Sequence, residues 1–357
     1  MTPLSSAIKQ RDLAVRTAWW AGKVVNHRIP RLLDRVSDGS DGELSGIRPP
    51  AGSSGGLGTG VTGPVDLEGI AETNYESVLI AEDVTDYGSV DFVADPFLFP
   101  GADRWHMFFE VVNTDRSPDA VIGHATSPTG IHWEYDRVVL TTDDHLSFPY
   151  VFEWKGGRYM IPETGGAGDG RVKLYEAVDF PGGWRRCAVP VDSDHESDDA
   201  VAFRSNDRWW LLVGDDSIDG VHLYSSPVLV RDGWQPHPAN PVVVDRPTAA
   251  RPAGRPLVTD DGVVVFYQDC ENAYGERVRA YEVTTLDEET FTDRELSTSP
   301  ILEGSGDRFG WNSGRMHHID PWYVDGRWIC AVDGNVSDPN LFTNDHWSIG
   351  IAMTGTD

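Results

Sequence analysis

The sequence predicts an all-β chain folded as a five-bladed β-propeller with four-stranded blades. Two observations carry the prediction. A pair of aromatic-rich, strand-like runs recurs five times, and the copies are evenly spaced. Counted between Trp105, Arg158, Trp209, Val264 and Trp328, the spacings are roughly 53, 51, 55 and 64 residues, a period that belongs to solenoids, propellers or arrays. The first copy reads Ala94-Asp95-Pro96-Phe97-Leu98-Phe99, then Trp105-His106-Met107-Phe108-Phe109-Glu110. The later copies open at Ser147-Phe148-Pro149, Asp199-Ala200-Val201, Gly254-Arg255-Pro256 and Asp320-Pro321-Trp322, the fourth being the most degenerate.

Within each copy the two runs are separated by a short polar turn, such as Lys155-Gly156-Gly157, Ser205-Asn206-Asp207 or Asp325-Gly326. Apolar runs around such a turn are a hairpin signature. A third run follows in every copy (Val121–Ala125, Val172–Tyr175, Val221–Tyr224, Val278–Tyr281, Ile349–Ala352), and a shorter fourth closes the first four (Val138–Leu140, Ala188–Pro190, Pro241–Val243, Pro300–Leu302). Radial repetition of four-stranded sheets is one way a β-protein protects its edges. The fifth copy has no fourth run before Asp357, so Glu76–Ile80, just upstream of the first blade, is expected to supply that strand and close the ring.

Residues 75–357 are therefore assigned to the propeller, 45–74 to a linker rich in Gly, Ser and Pro between Ser45 and Pro64, and 1–44 to an extension. Leu13–Val25, with Trp19 and Trp20, reads as a short amphipathic helix that could pack on the propeller or dock a membrane-associated or glycosyltransferase partner. Arg16, Lys23 and the lack of a small-residue cleavage site argue against a signal peptide. No apolar run approaches the roughly 20 residues of a membrane helix, and a cytoplasmic location is expected. Cys187, Cys270 and Cys330 are too few and scattered for a disulfide framework or zinc site. Gly58, Gly60 and Gly63 match a dinucleotide pattern without a preceding strand and are linker; Asn335-Val336-Ser337 is a sequon without a secretory context.

Fifty-seven acidic residues against 29 basic ones give a net charge of −28, which excludes nucleic acid and anionic membrane surfaces as partners because both are bound by neutralising phosphates. The composition resembles that of proteins from salt-accumulating halophiles. Abundance thus says little about which carboxylates matter, and repeat position has to select them. In a propeller the start of the innermost strand and the end of the second ring one mouth. The starts are Asp95, Phe148, Asp199, Gly254 and Asp320; the ends are Glu110, Glu163, Asp215 (one place late), Asp269 and Asp333. Mutual repulsion among these carboxylates would raise some of their pKa values, as a catalytic acid beside an ionised base requires.

The Ala-Asp-Pro opening strand and the mouth carboxylates resemble the family 43 and family 32 glycoside hydrolase propellers. Phe92–Phe99, His145–Trp154, Met160–Thr164, Arg251–Arg255, Gln268–Cys270 and Gly310–Asp320 resemble more closely the propeller at the N-terminus of plant glucosamine inositolphosphorylceramide transferases and their bacterial and archaeal relatives. The resemblance covers about residues 75 to 355. Carried over by position from family 43, it implies Asp95 as general base and Asp199, an Asp where the family has Glu, as general acid, while the modulator position holds Phe148 and leaves Glu163 open to that role or to that of the alternative proton donor. Two such carboxyls, one protonating the leaving oxygen and one activating water, are what inverting glycoside hydrolysis needs. Glu110, Phe148, Arg251, Arg255, Asp269, Trp311, His317 and Asp320 are the candidate substrate contacts. Each has a structural alternative: Asp95 and Asp320 as turn caps before proline, Arg251 and Arg255 as ion-pair partners of mouth carboxylates, and Phe148, Trp311 and Trp322 as filling between blades. No cofactor is required and no protein metal site is expected from the His317-His318 pair, although some relatives hold a calcium ion in the central channel. The expectation is an inverting, furanosidase-like glycoside hydrolase acting on a glycan or glycoconjugate. The alternatives are a non-catalytic carbohydrate-binding propeller accessory to a glycosyltransferase, and a protein-docking propeller.

Overall fold

A computed structural model describes residues 46–50, 67, 70, 75–165, 170–259, 261–307, 310–336 and 346–354. The extension, most of the linker and the dinucleotide-like glycines lie outside them. The first described strand, β1 (Tyr75–Leu79), belongs to the last blade. Blade one is β2 (Phe92–Pro100), β3 (Trp105–Val112), β4 (Ala120–Ser127) and β5 (Glu134–Leu140); blade two is β6 (Leu146–Trp154), β7 (Gly157–Thr164), β8 (Arg171–Asp179) and β9 (Gly182–Asp192). Blade three is β10 (Asp198–Ser205), β11 (Arg208–Asp215), β12 (Gly220–Ser226) and β13 (Gln235–Pro236). Blade four is β14 (Arg251–Pro252) and β15 (Leu257–Thr259), both paired to β16 (Gly262–Asp269), followed by β17 (Arg277–Leu286), β18 (Phe291–Glu295) and β19 (Leu302–Glu303). Blade five is β20 (Ile319–Val324), β21 (Arg327–Asn335) and β22 (Trp347–Met353), and β1 completes it antiparallel to β22 with Tyr75 opposite Ala352. All five sheets are antiparallel meanders, and the ring closes where expected.

Two outer strands differ from the sequence reading. Val243 makes only an isolated bridge to Val221, and β13 takes the outer position of blade three. Pro241 has no N–H to offer a ladder, and the Asn240 side chain bonds both the N–H and the carbonyl of Leu223, occupying the pairing groups that a strand there would use. In blade four Leu302 does pair, but β18 holds most of the outer edge of β17.

The blades are glued by apolar side chains of their two faces. Phe97, Phe148, Tyr150, Phe152, Phe203 and Trp209 run as one cluster through the first three blades. Leu79, Trp105, Trp322, Ile329 and Ile351 join blade five to blade one, and Ala253, Leu257, Phe266, Ile319 and Cys330 join blade four to blade five. Trp105 is wholly buried, and its indole N–H is satisfied by the Ile47 carbonyl at 2.8 Å. All three cysteines are free thiols; Cys330 is buried and Cys187 and Cys270 are half-buried.

The innermost strands carry the feature that builds the site. In blades one to three the pairing of first and second strands slips after Ala94, Ser147 and Asp198. The next residue in each, Asp95, Phe148 and Asp199, has φ of 52°, 44° and 44°. These β-bulges in the left-handed region re-aim a side chain and leave a backbone N–H without a ladder partner.

Candidate carbohydrate-binding mouth

Carboxylates of neighbouring blades satisfy those N–H groups. Asp333 Oδ2 of blade five accepts from Asp95 N (3.2 Å), Asp95 Oδ2 accepts from Phe148 N (3.3 Å), and Glu163 Oε2 of blade two accepts from Asp199 N (2.9 Å). Arg251 of blade four completes the circuit with all three of its guanidinium nitrogens. Nε donates to Asp199 Oδ2 (2.5 Å), Nη1 to Asp216 Oδ2 (2.9 Å) and Nη2 to Glu163 Oε2 (3.0 Å). Gln268 adds a second donor to Asp199 Oδ2 at 2.8 Å. The mouth is thus a ring of carboxylates with one buried arginine, and Arg251 acts as an ion-pair hub.

The five strand-two exits diverge. Glu110, Glu163 and Asp333 belong to the mouth, Glu110 being bonded to His145 Nε2 at 3.2 Å. In blade three Gly214 stands opposite Asp198, and a Cβ there would come within 2.8 Å of Arg251 Cβ, so the glycine makes room for the hub. Asp215, one residue on, turns to His195 and His222. In blade four Gln268 takes the mouth position and Asp269 turns away to Arg279 at 2.8 Å.

The remaining expected contacts are interior. Asp320 is wholly buried in a regular, unbulged stretch of β20. It accepts from Arg255 Nε (2.6 Å), Leu98 N (2.6 Å) and Trp322 Nε1 (3.0 Å). Arg255 also donates to the carbonyls of Leu98 and Val151, so this pair pins blades one, two, four and five from inside. The Asp-Pro match that aligned Asp320 with Asp95 is therefore one of sequence only; without a bulge the side chain turns inward. Phe148 is fully buried, edge-on to Phe97 and His318, and Trp311 packs over Gly334 and Gly350 with its N–H on the Tyr75 carbonyl. The exposed aromatic at the mouth is one the repeat did not mark. Tyr274 is 45% exposed, 5.7 Å from the Arg251 guanidinium carbon and 5.6 Å from the His317 ring. Its loop reaches in because Gly275 (φ 59°) lies against His317, where a Cβ would approach to 2.6 Å.

Electrostatics separate the carboxyls. Burial pushes Asp95 up to about 8, opposed only in part by His317 and reinforced by Glu110 and Asp333. Burial also raises Glu110, and brings Asp198 up to about 7 despite Arg251. For Asp333 burial works the same way, but His317 beside it holds its carboxyl below the usual range. His317 Nδ1 is 2.8 Å from Asp333 and its Nε2 faces Asp95 Oδ1 at 3.7 Å, so one imidazole lies between a carboxyl held low and a carboxyl pushed up.

Asp95, His317 and Asp333 are also the mouth group closest to a cation seat. They do not suit calcium, which takes about six to eight oxygen ligands. Asp333 already accepts from the N–H groups of Asp95, His317 and His318 and from the His317 ring, and few oxygens remain.

The comparisons with known proteins agree with the propeller fold. A family model described as glucosamine inositolphosphorylceramide transferase 1, N-terminal, matches residues 70–335. Glucosamine inositolphosphorylceramide transferase 1 of Arabidopsis thaliana is 33% identical over 266 residues, covering 71% of this chain and 33% of that one. The protein of the same name from Oryza sativa subsp. japonica is 31% identical over 289 residues, covering 76% and 38%. The chain thus spans little more than a third of these relatives. Among solved structures, the catalytic domain of a Coprinopsis cinerea GH62 α-L-arabinofuranosidase superposes with a TM-score of 0.58 at 12% identity, covering 79% of this chain and 97% of its own. A family 117 glycoside hydrolase of Zobellia galactanivorans gives 0.55 at 14% identity, covering 80% and 91%. Those two likenesses establish the shared fold. With its five bladed sheets and the match over residues 70–335, the chain belongs to the family of glucosamine inositolphosphorylceramide transferase N-terminal domains.

Proposed function

We propose that the mouth binds the sugar of a glycoconjugate without hydrolysing it, as the carbohydrate-recognition part of a glycosyl-transfer system. One observation carries this reading. Each of the three carboxylates expected to do chemistry already holds the fold together: Asp95 binds the Phe148 N–H, Glu163 the Asp199 N–H and Arg251, and Asp199 takes Arg251 and Gln268 on one oxygen. A carboxylate so engaged is a fixed acceptor for sugar hydroxyls, and Tyr274, partly exposed beside Arg251 and His317, is an aromatic that a sugar can contact there. The carboxylate excess favours a neutral or cationic sugar over a uronic acid or phosphosugar. The plant relatives, named glucosamine inositolphosphorylceramide transferase 1, are consistent with that choice.

A second reading, glycoside hydrolysis, is favoured by two carboxyls of one mouth, Asp95 and Asp333, on either side of His317 with pKa values shifted in opposite directions, the pattern of an acid–base pair. One experiment separates the two. Neutral and amino-sugar glycosides, including aryl furanosides and pyranosides, are offered in molar KCl to the wild type, Asp95→Asn and Tyr274→Ala, with calorimetric binding and product release followed together. Saturable binding with no release, weakened at least about tenfold by Tyr274→Ala, supports recognition. Release that disappears in Asp95→Asn replaces it with hydrolysis, and neither binding nor release removes both.

A further inference from the structure

One cluster has no part in the mouth's bonding. His195, in the loop before β10, meets Asp215 at the end of β11 and His222 in β12, and one donor atom from each lies within 4.8 Å of the others. We propose that this cluster on the rim of blade three binds a divalent transition cation of the zinc class.

The donor set is the first reason. Two imidazoles and one carboxylate suit zinc and its neighbours, whereas calcium and magnesium take oxygen. The second is how the donors are held. Asp215 Oδ1 is bonded by both the backbone N–H and the hydroxyl of Ser217, at 3.1 and 2.5 Å. That leaves Oδ2 directed at the histidines, 3.1 Å from His222 Nε2 and 3.9 Å from His195 Nδ1. The far nitrogen of His195, Nε2, is 2.5 Å from the Tyr224 hydroxyl. Outer partners that hold a ligand's unused atom, as here for Asp215 and His195, are the usual support of a metal site, and separations of 3 to 4 Å are of the order expected for donors about 2.1 Å from a shared ion.

His195 Nδ1 also lies 2.6 Å from the Glu196 carbonyl. That contact needs a proton between the two atoms, which a cation displaces, bringing the carbonyl oxygen into its donor set. The two imidazoles now stack face to face, 3.8 Å between centroids and 4° from parallel. Their lone pairs run side by side, so binding turns the His195 ring and breaks the stack. His195 can turn: its side chain is 22% exposed, against 13% for His222 and 3% for Asp215. The next residue after Asp215 is Asp216, which holds Arg251 Nη1, so the site adjoins the mouth and shares one backbone turn with it.

The test uses untagged full-length protein stripped with a chelator, then titrated with Zn²⁺ against a chromophoric competitor in molar KCl, which screens the surface carboxylates. The expected result is one tight equivalent per chain, weakened at least tenfold by His222→Ala and by His195→Gln and unchanged by Asp95→Asn. Co²⁺ should give the visible bands of a nitrogen-ligated, low-coordinate ion in the wild type. Should the variants fold poorly, Zn²⁺ protection of His195 from diethyl pyrocarbonate in the wild type, read by peptide mass spectrometry, replaces them. No tight equivalent, or one that survives both histidine substitutions, or His195 modified at the same rate with and without Zn²⁺, overturns the proposal.

Discussion

At the scale of residues, the charges that matter are those placed where water cannot screen them. Arg251 answers three carboxylates at once, and a lysine ammonium cannot reproduce its planar fork. Arg251→Met should destabilise the chain by about 3–5 kcal/mol, because buried Asp199 and half-buried Glu163 lose their shared partner. Arg251→Lys should recover only part of that in denaturant titration. His145 gives a pH signature. Burial lowers its pKa, but its bonds to Glu110 and Asp119 outweigh burial and raise it to about 9. A raised histidine stabilises fully below its unfolded value near 6.5 and loses that contribution as pH climbs through the folded value. The stability difference between wild type and His145→Gln should therefore shrink by about 1–2 kcal/mol from pH 6.5 to pH 9.5, discounted for partial exposure. At this scale the place of Asp95, Asp199, Glu163 and Glu110 at the mouth was legible from repeat position, although the same rule also selected Asp320, Asp215 and Asp269, which turn elsewhere. Tyr274 and Gln268 were not legible: Tyr274 reaches the mouth from a loop, and Gln268 is a neutral residue where the pattern called for acid.

At the scale of elements, the bulges decide which side chains face the axis. Asp95, Phe148 and Asp199 share left-handed backbone although only two share a side chain, so the conformation is a property of the blade. Blade four solves the same problem with Gly254 (φ 145°), which bridges in parallel to Ile319. A Cβ there would stand 1.7 Å from the Ile319 carbonyl oxygen, a clash with backbone that cannot swing aside. Gly254→Ala should cost on the order of 4 kcal/mol and loosen the contact between blades four and five, visible as faster amide exchange at Ile319. The closing strand is equally specific. Leu79 is buried in the cluster that joins blade five to blade one, and Leu79→Ala should cost about 2–4 kcal/mol, measured by denaturant unfolding. Outer strands were the least legible elements, because their short apolar runs compete with side-chain bonds such as those of Asn240.

At the scale of the whole molecule, a net charge of −28 opposes compaction. The screening length falls from about 10 Å at 0.1 M salt to about 3 Å at 1 M. The melting temperature should therefore rise with KCl over that range and rise less with the non-ionic osmolyte sucrose at equal osmolality, which differential scanning calorimetry can separate. Among the described residues no helix is long and apolar enough to cross a membrane.

The sequence by itself determined the number of blades, the ring closure by a strand ahead of blade one, and part of the mouth, namely Asp95, Asp199, Glu110, Glu163 and Asp333. Those follow from a period and from alternation, which a single chain displays openly. Only the tertiary structure decided what occupies the mouth. Asp320 and Arg255 sink into the channel wall, Arg251 is spent on three carboxylates, and Asp215 turns to the rim, because a one-residue bulge or its absence re-aims a side chain without changing the hydrophobic pattern that announces the strand.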